Sequence, residues 1–107
     1  MTRYKIYDLR EIMNSIPFTK LCHRNIRFKG ITYTQEHDDD FIFLANYESL
    51  SGLYKSSIIC IQLSAKGTFG ITVNVGDNLS KHTIKCYELI KKRIAAYLTL
   101  IGLKQSW

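Results

Sequence analysis

The longest regular pattern of apolar and polar residues lies in residues 80–102. At about 100° of rotation per residue, one broad side of a helix over this segment is apolar. The opposite side carries charged residues, namely Lys81, Lys85, Glu88 and Lys92. Ser80 is a residue type that caps helix N-termini, and Gly102 is one that follows the last turn. The pattern predicts one helix from Ser80 to Gly102, whose apolar side consists of Ile84, Tyr87, Ile90, Ile94, Leu98 and Ile101.

A second, narrower stripe runs along the same predicted helix beside the first one. It consists of His82, Cys86, Leu89, Arg93 and Leu100. A helix that rests on a single sheet needs only one apolar side, so this second stripe needs a further partner. That partner is either the N-terminal helix of the same chain or another molecule, such as a second copy. The pattern leaves both possibilities open.

Residues 26–77 have the apolar runs and turn residues that are typical of four strands. The apolar positions change phase at Gly30, which indicates either a β-bulge or a tight turn between two short strands. Residues 36–40 form a polar break, and the apolar run 41–45 predicts a central strand covered on both sides. A second apolar run, residues 58–63, leads through a turn to residues 68–75. Apolar and polar residues alternate along 68–75, which predicts a strand with one buried side and one side facing water.

The N-terminal segment, residues 1–25, predicts a shorter helix, because apolar residues recur at helical spacing at Leu9, Ile12, Met13 and Ile16. Asp8 followed by Glu11 has the form of a capping box and predicts the helix start. Pro17 predicts its end, with a second short turn over residues 18–23. The chain therefore predicts a single α+β domain over residues 1–107. In this two-layer fold the long C-terminal helix packs on a mostly antiparallel sheet of about four strands, with the N-terminal helix at an edge.

Composition places the chain among ordinary folded proteins. It has 107 residues, of which 46% are hydrophobic and 22% charged, which suffices for a core without metal or disulfides. No apolar run reaches the roughly 18 residues of a membrane span, and no signal-peptide core follows the N-terminus. Three widely spaced cysteines make a poor disulfide framework. We expect a cytoplasmic protein that needs neither a cofactor nor a membrane.

Candidate catalytic and metal-binding residues are few. His82 and Cys86 lie one helical turn apart, and Cys22 and His23 form a second pair, so four zinc-ligand side chains are present. Adjacent residues rarely reach one ion together, and the chain has no Cys-x₂-Cys motif, so we expect no metal site. Residues 37–40 are interpreted as a solvated turn. The chain also has no nucleophile motif and no phosphate-binding loop, which predicts a protein that is not an enzyme.

The net charge of +6 and the sequence pI of about 9.3 favour acidic partners. Arg24, Arg27 and Lys29 lie close together around an aromatic residue, and Tyr33 follows them. Basic residues interleaved with aromatic ones are typical of surfaces that bind nucleic acid. An RNA- or DNA-binding module that uses these four residues is therefore one alternative for the function.

The residue choice is rich in Ile, Lys, Tyr and Asn, whose codons are AT-rich and typical of low-GC bacteria and their phages. This bias, the small size and the basic charge together suggest a phage or mobile-element protein that binds and occludes a host protein or nucleoprotein complex. An anti-CRISPR or other counter-defence inhibitor is the concrete form of this hypothesis. The same helix could also form a homodimer. The predicted partner contacts are Lys81, Lys85, Leu89, Lys92, Arg93 and Leu100.

A second alternative is a ribosome-dependent ribonuclease toxin. This class of small basic proteins also combines helices with a four-stranded sheet. Its members carry Arg, Lys, His or Tyr at the ends of strands, whereas residues 58–75 of this chain are nearly free of charge. Overexpression in a bacterium separates this alternative from the others, because a toxin arrests growth.

Overall fold

The computed structural model describes residues 4–37, 39–49, 56–75 and 79–106. The helices are α1 (Ile6–Ser15), α2 (Phe18–Leu21) and α3 (Lys81–Leu100). The strands are β1 (Ile26–His37), β2 (Asp40–Ser49), β3 (Ser56–Ser64), β4 (Thr68–Val75) and β5 (Lys104–Gln105). These strands form one sheet in the order β1-β2-β3-β4-β5. The first four strands are antiparallel to their neighbours, and β5 runs parallel to β4.

The helices cover one face of the sheet, and every second residue of β2 and β3 points towards that face. α1 packs over β2, α2 over β1 and α3 over β4. On the opposite face Ile42, Leu44 and Cys60 are only half-buried. The prediction that residues 41–45 are covered on both sides is therefore wrong, because burial alternates along the strand. The apolar residues of β2 and β3 that are almost completely buried against the helices are Phe41, Phe43, Ala45, Tyr47, Ile59, Ile61 and Leu63.

α1 begins earlier and lies deeper than the sequence predicts. Asp8 is the third residue of the helix and not its cap, and its Oδ2 accepts a 2.9 Å hydrogen bond from the N–H of Lys5. Leu9 is completely buried, so α1 belongs to the core above β2 and not to an edge of the sheet. The helix ends before Pro17, as predicted, and α2 follows as a single turn.

β1 is one continuous strand, so Gly30 marks a β-bulge and not a turn between two strands. The register with β2 shifts between Phe28 and Gly30, and Gly30 has a φ of 125°, which other residue types rarely adopt. The predicted polar break at residues 36–40 is shorter than expected. β1 extends to His37 and β2 begins at Asp40, and Asp38 lies outside the described residues.

α3 has the predicted boundaries. The Oγ of Ser80 accepts a 3.1 Å hydrogen bond from the N–H of Thr83, and Gly102 has a φ of 108° beyond the last turn. Ile101 is 40% exposed, contrary to its predicted place on the buried side. The chain turns at Gly102, and Leu103, which is 2% exposed, lies in the core where Ile101 was predicted. Ile84 is half-buried, and the buried side of α3 consists of Thr83, Cys86, Tyr87, Ile90, Ile94 and Leu98.

The α+β class and the mostly antiparallel sheet are as predicted, but the described residues form a sheet of five strands and not about four. The additional strand, β5, forms because the chain turns back after α3. The N–H of Lys104 then donates a 2.9 Å hydrogen bond to the carbonyl oxygen of Gly67. Within the described ranges, no helix combines the length and the apolarity that crossing a bilayer requires.

Candidate binding surface on the C-terminal helix

The side of α3 that faces away from the sheet combines leucines with lysines; we call it the α3 outer face. Leu100 is 84% exposed and Leu89 is 38% exposed. Eleven residues separate them, which brings them within about 20° of one line along the helix and about 16 Å apart. Exposed Ala96 lies between them on the same line. The lysines that border this line, all exposed, are Lys81, Lys85 and Lys92.

The N-terminal segment covers Cys86 and Arg93 of the second stripe, whereas His82 is exposed. Arg93 donates hydrogen bonds from one guanidinium nitrogen to the carbonyl oxygens of Leu21 (3.3 Å) and Cys22 (3.0 Å). Cys86 is 5% exposed and belongs to the core. The stripe therefore divides: Cys86 and Arg93 face the same chain, whereas Leu89 and Leu100 face solvent. Arg93, one of the predicted partner contacts, holds the end of α2 against α3 in this structure.

Three of the four possible zinc ligands lie together. The Sγ of Cys86 is 3.7 Å from the Nε2 of His23 and 3.9 Å from the Nε2 of His82. These distances are close to the roughly 3.6 Å that separates sulfur from nitrogen in a tetrahedral zinc site. Cys22, the fourth, turns away, and its thiol donates a 3.0 Å hydrogen bond to the carbonyl oxygen of Ile26.

The hydrogen bond that His23 accepts does not suit a metal ligand. Its Nδ1 accepts a 3.1 Å hydrogen bond from the backbone N–H of Asn25. A neutral imidazole whose Nδ1 accepts carries its proton on Nε2, the atom that faces Cys86, whereas a metal would need the lone pair of Nε2. A search of the described residues for three His, Cys, Asp or Glu side chains that could hold a metal ion together finds no such group.

The cysteine thiols also offer little for covalent chemistry. Burial raises the pKa of Cys22 above its usual value, although nearby backbone hydrogen bonds and Arg93 oppose the shift. Burial likewise raises the pKa of Cys60. A raised pKa keeps the thiol protonated near neutral pH, and the thiolate is the nucleophilic form. Neither side chain has the environment of an activated nucleophile.

The basic residues near β1 are partly neutralised. Arg27 and Lys29 both pair with Glu48, which is only 7% exposed, and the Nζ of Lys29 lies 3.6 Å from the Glu48 Oε2. Arg24 is exposed. It lines a shallow pocket of about 390 Å³ together with His23, Arg27 and Phe28. The backbone of Tyr33 pairs with Leu44, and its side chain lies outside the described atoms.

A groove between α1 and the C-terminal end of α3 is a feature that the sequence pattern did not indicate. It is open to solvent, encloses about 970 Å³, and we call it the α1–α3 groove. Two elements far apart in sequence form it, and Tyr97 and Ile101 enter it only because the chain packs α1 against α3. Its lining consists of Tyr4, Asp8, Glu11, Ile12, Asn14, Ser15, Tyr97 and Ile101.

The α1–α3 groove has acidic residues on a basic protein. Asp8 and Glu11 lie on its α1 side. Their effect is visible at Tyr7, whose pKa is raised, chiefly by a hydrogen bond to Glu11 and the charge of that carboxylate. Comparison with known proteins gives no further guide to either surface, since no protein-family model, no curated protein and no solved structure matches this chain.

Proposed function

We propose that this protein is not an enzyme but binds a partner in fixed stoichiometry and occludes it with the α3 outer face. The observation that carries the proposal is the exposure of Leu100, at 84%, on the same line as Leu89, which has a row of lysines along one side. Arg93 and Cys86 lie next to this line but already have partners in the chain. The exposed leucines therefore do not serve the core of this fold.

The α3 outer face favours a partner that offers an apolar groove with acidic edges. Burying an exposed leucine contributes about 1.5–3 kcal/mol, so two leucines supply only part of the free energy of a stable complex. The lysine row adds long-range attraction, which increases the association rate for an acidic partner. A helix laid into a groove is a common way in which a small protein occupies a partner's surface.

The concrete form of this proposal is a counter-defence protein of the anti-CRISPR type, carried by a phage or mobile element. The residue bias towards AT-rich codons and the small, basic chain support it. The chain is expressed in a low-GC bacterium with an active CRISPR system, which is then challenged with a targeted phage. Restored plaque formation that is lost in the variant Leu89→Glu/Leu100→Glu supports the proposal. Unchanged immunity in every low-GC host tested contradicts this form of it.

A capture experiment tests the binding surface itself. Tagged chain is incubated with a low-GC bacterial lysate, with and without nuclease, and compared with Leu89→Glu/Leu100→Glu. The matched control is Thr72→Glu/Asn74→Glu, which places two carboxylates at exposed positions on the opposite face of the sheet. The proposal predicts that one protein is retained after nuclease treatment, by the wild type and the control but not by the α3 variant. Equal retention by all three contradicts it.

Binding of RNA or DNA is the second candidate, and the shallow pocket that brings Arg24 and Arg27 together favours it. The pairing of Arg27 and Lys29 with Glu48 weighs against it, because a neutralised cation releases fewer counterions from phosphate. Salt separates the two candidates. Affinity for nucleic acid should fall by about tenfold or more between low and moderate salt, whereas a shape-matched protein interface should weaken much less.

A homodimer through the α3 outer face is a third way to cover the leucines. Light scattering of the purified chain over a range of concentrations distinguishes it from binding to another protein. A dimer that becomes a folded monomer in Leu89→Glu/Leu100→Glu identifies the second copy as the partner. A wild type that is monomeric throughout leaves the face free for a different protein.

A further inference from the structure

The α1–α3 groove is a second surface beside the α3 outer face, and its shape is fixed by the chain itself. The hydroxyl of Tyr97 donates a 3.1 Å hydrogen bond to the carbonyl oxygen of Ser15, which joins α3 to the end of α1. The N–H of Tyr4 donates a 2.8 Å hydrogen bond to the carbonyl oxygen of Ala65, which ties the other wall to the sheet. A preformed groove loses little conformational entropy when a ligand binds.

The groove has an apolar part. Ile12 and Tyr4 are half-buried, and Ile101 is 40% exposed although it is a large hydrophobic side chain. A bulky apolar side chain placed here would remove these surfaces from water, which is favourable in proportion to the area covered.

The groove also attracts positive charge from two independent sources. Asp8 and Glu11 line it, and the described lining contains no basic side chain. In addition, the 20-residue helix α3 ends here without a basic residue in its last turn. The C-terminal end of a helix carries a partial negative charge, which stabilises a nearby cation. The local charge is thus opposite to the net charge of +6 of the whole chain.

We propose that the α1–α3 groove binds a short peptide segment of a partner protein in which a bulky apolar side chain stands next to Lys or Arg. The apolar side chain packs against Ile12 and Ile101, and the cation pairs with Glu11. The two carboxylates repel the phosphates of nucleic acids and of anionic lipids, so a cationic peptide is the chemistry that fits. This inference goes beyond the proposed function, because it uses neither Leu89 nor the lysine row.

Blocked dipeptides test the groove without knowledge of the natural partner. The probe is acetyl-Phe-Arg-amide, titrated into ¹⁵N-labelled full-length chain while amide resonances are followed by NMR. The expected result is a saturable shift of the resonances of Ile12, Tyr97 and Ile101. Acetyl-Phe-Glu-amide and acetyl-Gly-Arg-amide, which lack the cation or the apolar side chain, should each bind about three- to fivefold more weakly or not at all.

A pair of isosteric variants assigns the charge. Glu11→Gln should bind acetyl-Phe-Arg-amide about three- to fivefold more weakly than the wild type. Glu88→Gln makes the same change on the α3 outer face, where Glu88 is exposed, and should bind like the wild type. Asp8 is left intact because it accepts the hydrogen bond that begins α1.

Three results would overturn the peptide site. The first is an absence of shifts with acetyl-Phe-Arg-amide. The second is that acetyl-Phe-Glu-amide binds as tightly as acetyl-Phe-Arg-amide, or that Glu11→Gln binds acetyl-Phe-Arg-amide as tightly as the wild type. The third is a concentration-dependent shift of the same resonances without any peptide, which would identify a second copy as the occupant. The first two results do not involve the α3 outer face. A homodimer through that face could also shift Ile101, which follows Leu100, so the third result overturns the peptide site only if it persists in Leu89→Glu/Leu100→Glu.

Discussion

At the scale of single residues, the buried tyrosines show how much a hydroxyl depends on its surroundings. Tyr47 is completely buried against the ring of Tyr87, at a centroid distance of 6.1 Å, and its hydroxyl has no hydrogen-bond partner among the described residues. The hydroxyl of Tyr97, in contrast, donates a hydrogen bond to Ser15. A buried polar group without a partner costs free energy, whereas one with a partner makes a modest contribution to stability.

Of the matched substitutions Tyr47→Phe and Tyr97→Phe, only the second should therefore lower stability. Removing the unpartnered Tyr47 hydroxyl should raise the free energy of unfolding by about 1 kcal/mol or leave it unchanged. Removing the Tyr97 hydroxyl should lower it by about 0.5–1 kcal/mol. Urea unfolding followed by circular dichroism measures both. A clear loss of stability in Tyr47→Phe would show that its hydroxyl has a partner.

Tyr47 also predicts sensitivity to alkali. Burial raises its pKa in the folded chain far above the usual value of 10.0. The folded chain thus keeps a phenol proton that the unfolded chain loses above pH 10, so stability is full below that pH and falls as the pH rises. This group contributes at most about 1.4 kcal/mol per pH unit. Unfolding at pH 9–11 should show a shallower decline in Tyr47→Phe than in the wild type, and identical declines would contradict the prediction.

At the scale of elements, the sequence predicted what local rules decide and missed what tertiary packing decides. Ser80 and Gly102 are capping residues by their own chemistry, so the ends of α3 could be predicted. The start of α1 could not be predicted in this way. Asp8 is not the cap but the third residue of the helix, and its side chain accepts a hydrogen bond from the N–H of Lys5. Two-residue β5 has no periodicity of its own and depends on the contact of Lys104 with β4.

The same division applies to the candidate site. The exposure of Leu89 and Leu100 follows from a second stripe that the helical pattern revealed. The pairing of Arg27 with Glu48, 21 residues away, depends on the register of β1 and β2, which the sequence did not specify. The α1–α3 groove likewise joins residues from opposite ends of the chain, and no local pattern predicts such a contact.

The caps of α3 give a prediction at this scale. Ser80→Ala removes the acceptor of the Thr83 N–H and should lower the free energy of unfolding by about 1 kcal/mol. Gly102→Ala forces a side chain into a positive φ and should cost about 1–2 kcal/mol. Lys81→Ala, at an exposed neighbouring position, is the control and should change stability by less than about 0.5 kcal/mol. Equal values for all three in urea unfolding would show that the caps do not matter.

At the scale of the whole molecule, the helices cover one face of the sheet and leave two chemically different surfaces at α3. The outer face combines leucines with lysines, and the groove next to its C-terminal end combines apolar side chains with carboxylates. Neither surface contains an arranged metal site or an activated thiol among the described residues. The exposed leucines of the first surface and the apolar and acidic lining of the second are the observations that support the two binding proposals.

The central claim is that Leu89 and Leu100 serve binding and not the core, and the free energy of unfolding of Leu89→Glu/Leu100→Glu tests it most directly. The reference for a core position is Leu98→Ala on the buried side of the same helix, which should lose about 2–5 kcal/mol. We expect the double variant to stay folded and to lose less than about 1 kcal/mol of its free energy of unfolding. A loss as large as that of Leu98→Ala would contradict it, since the two leucines would then belong to the core.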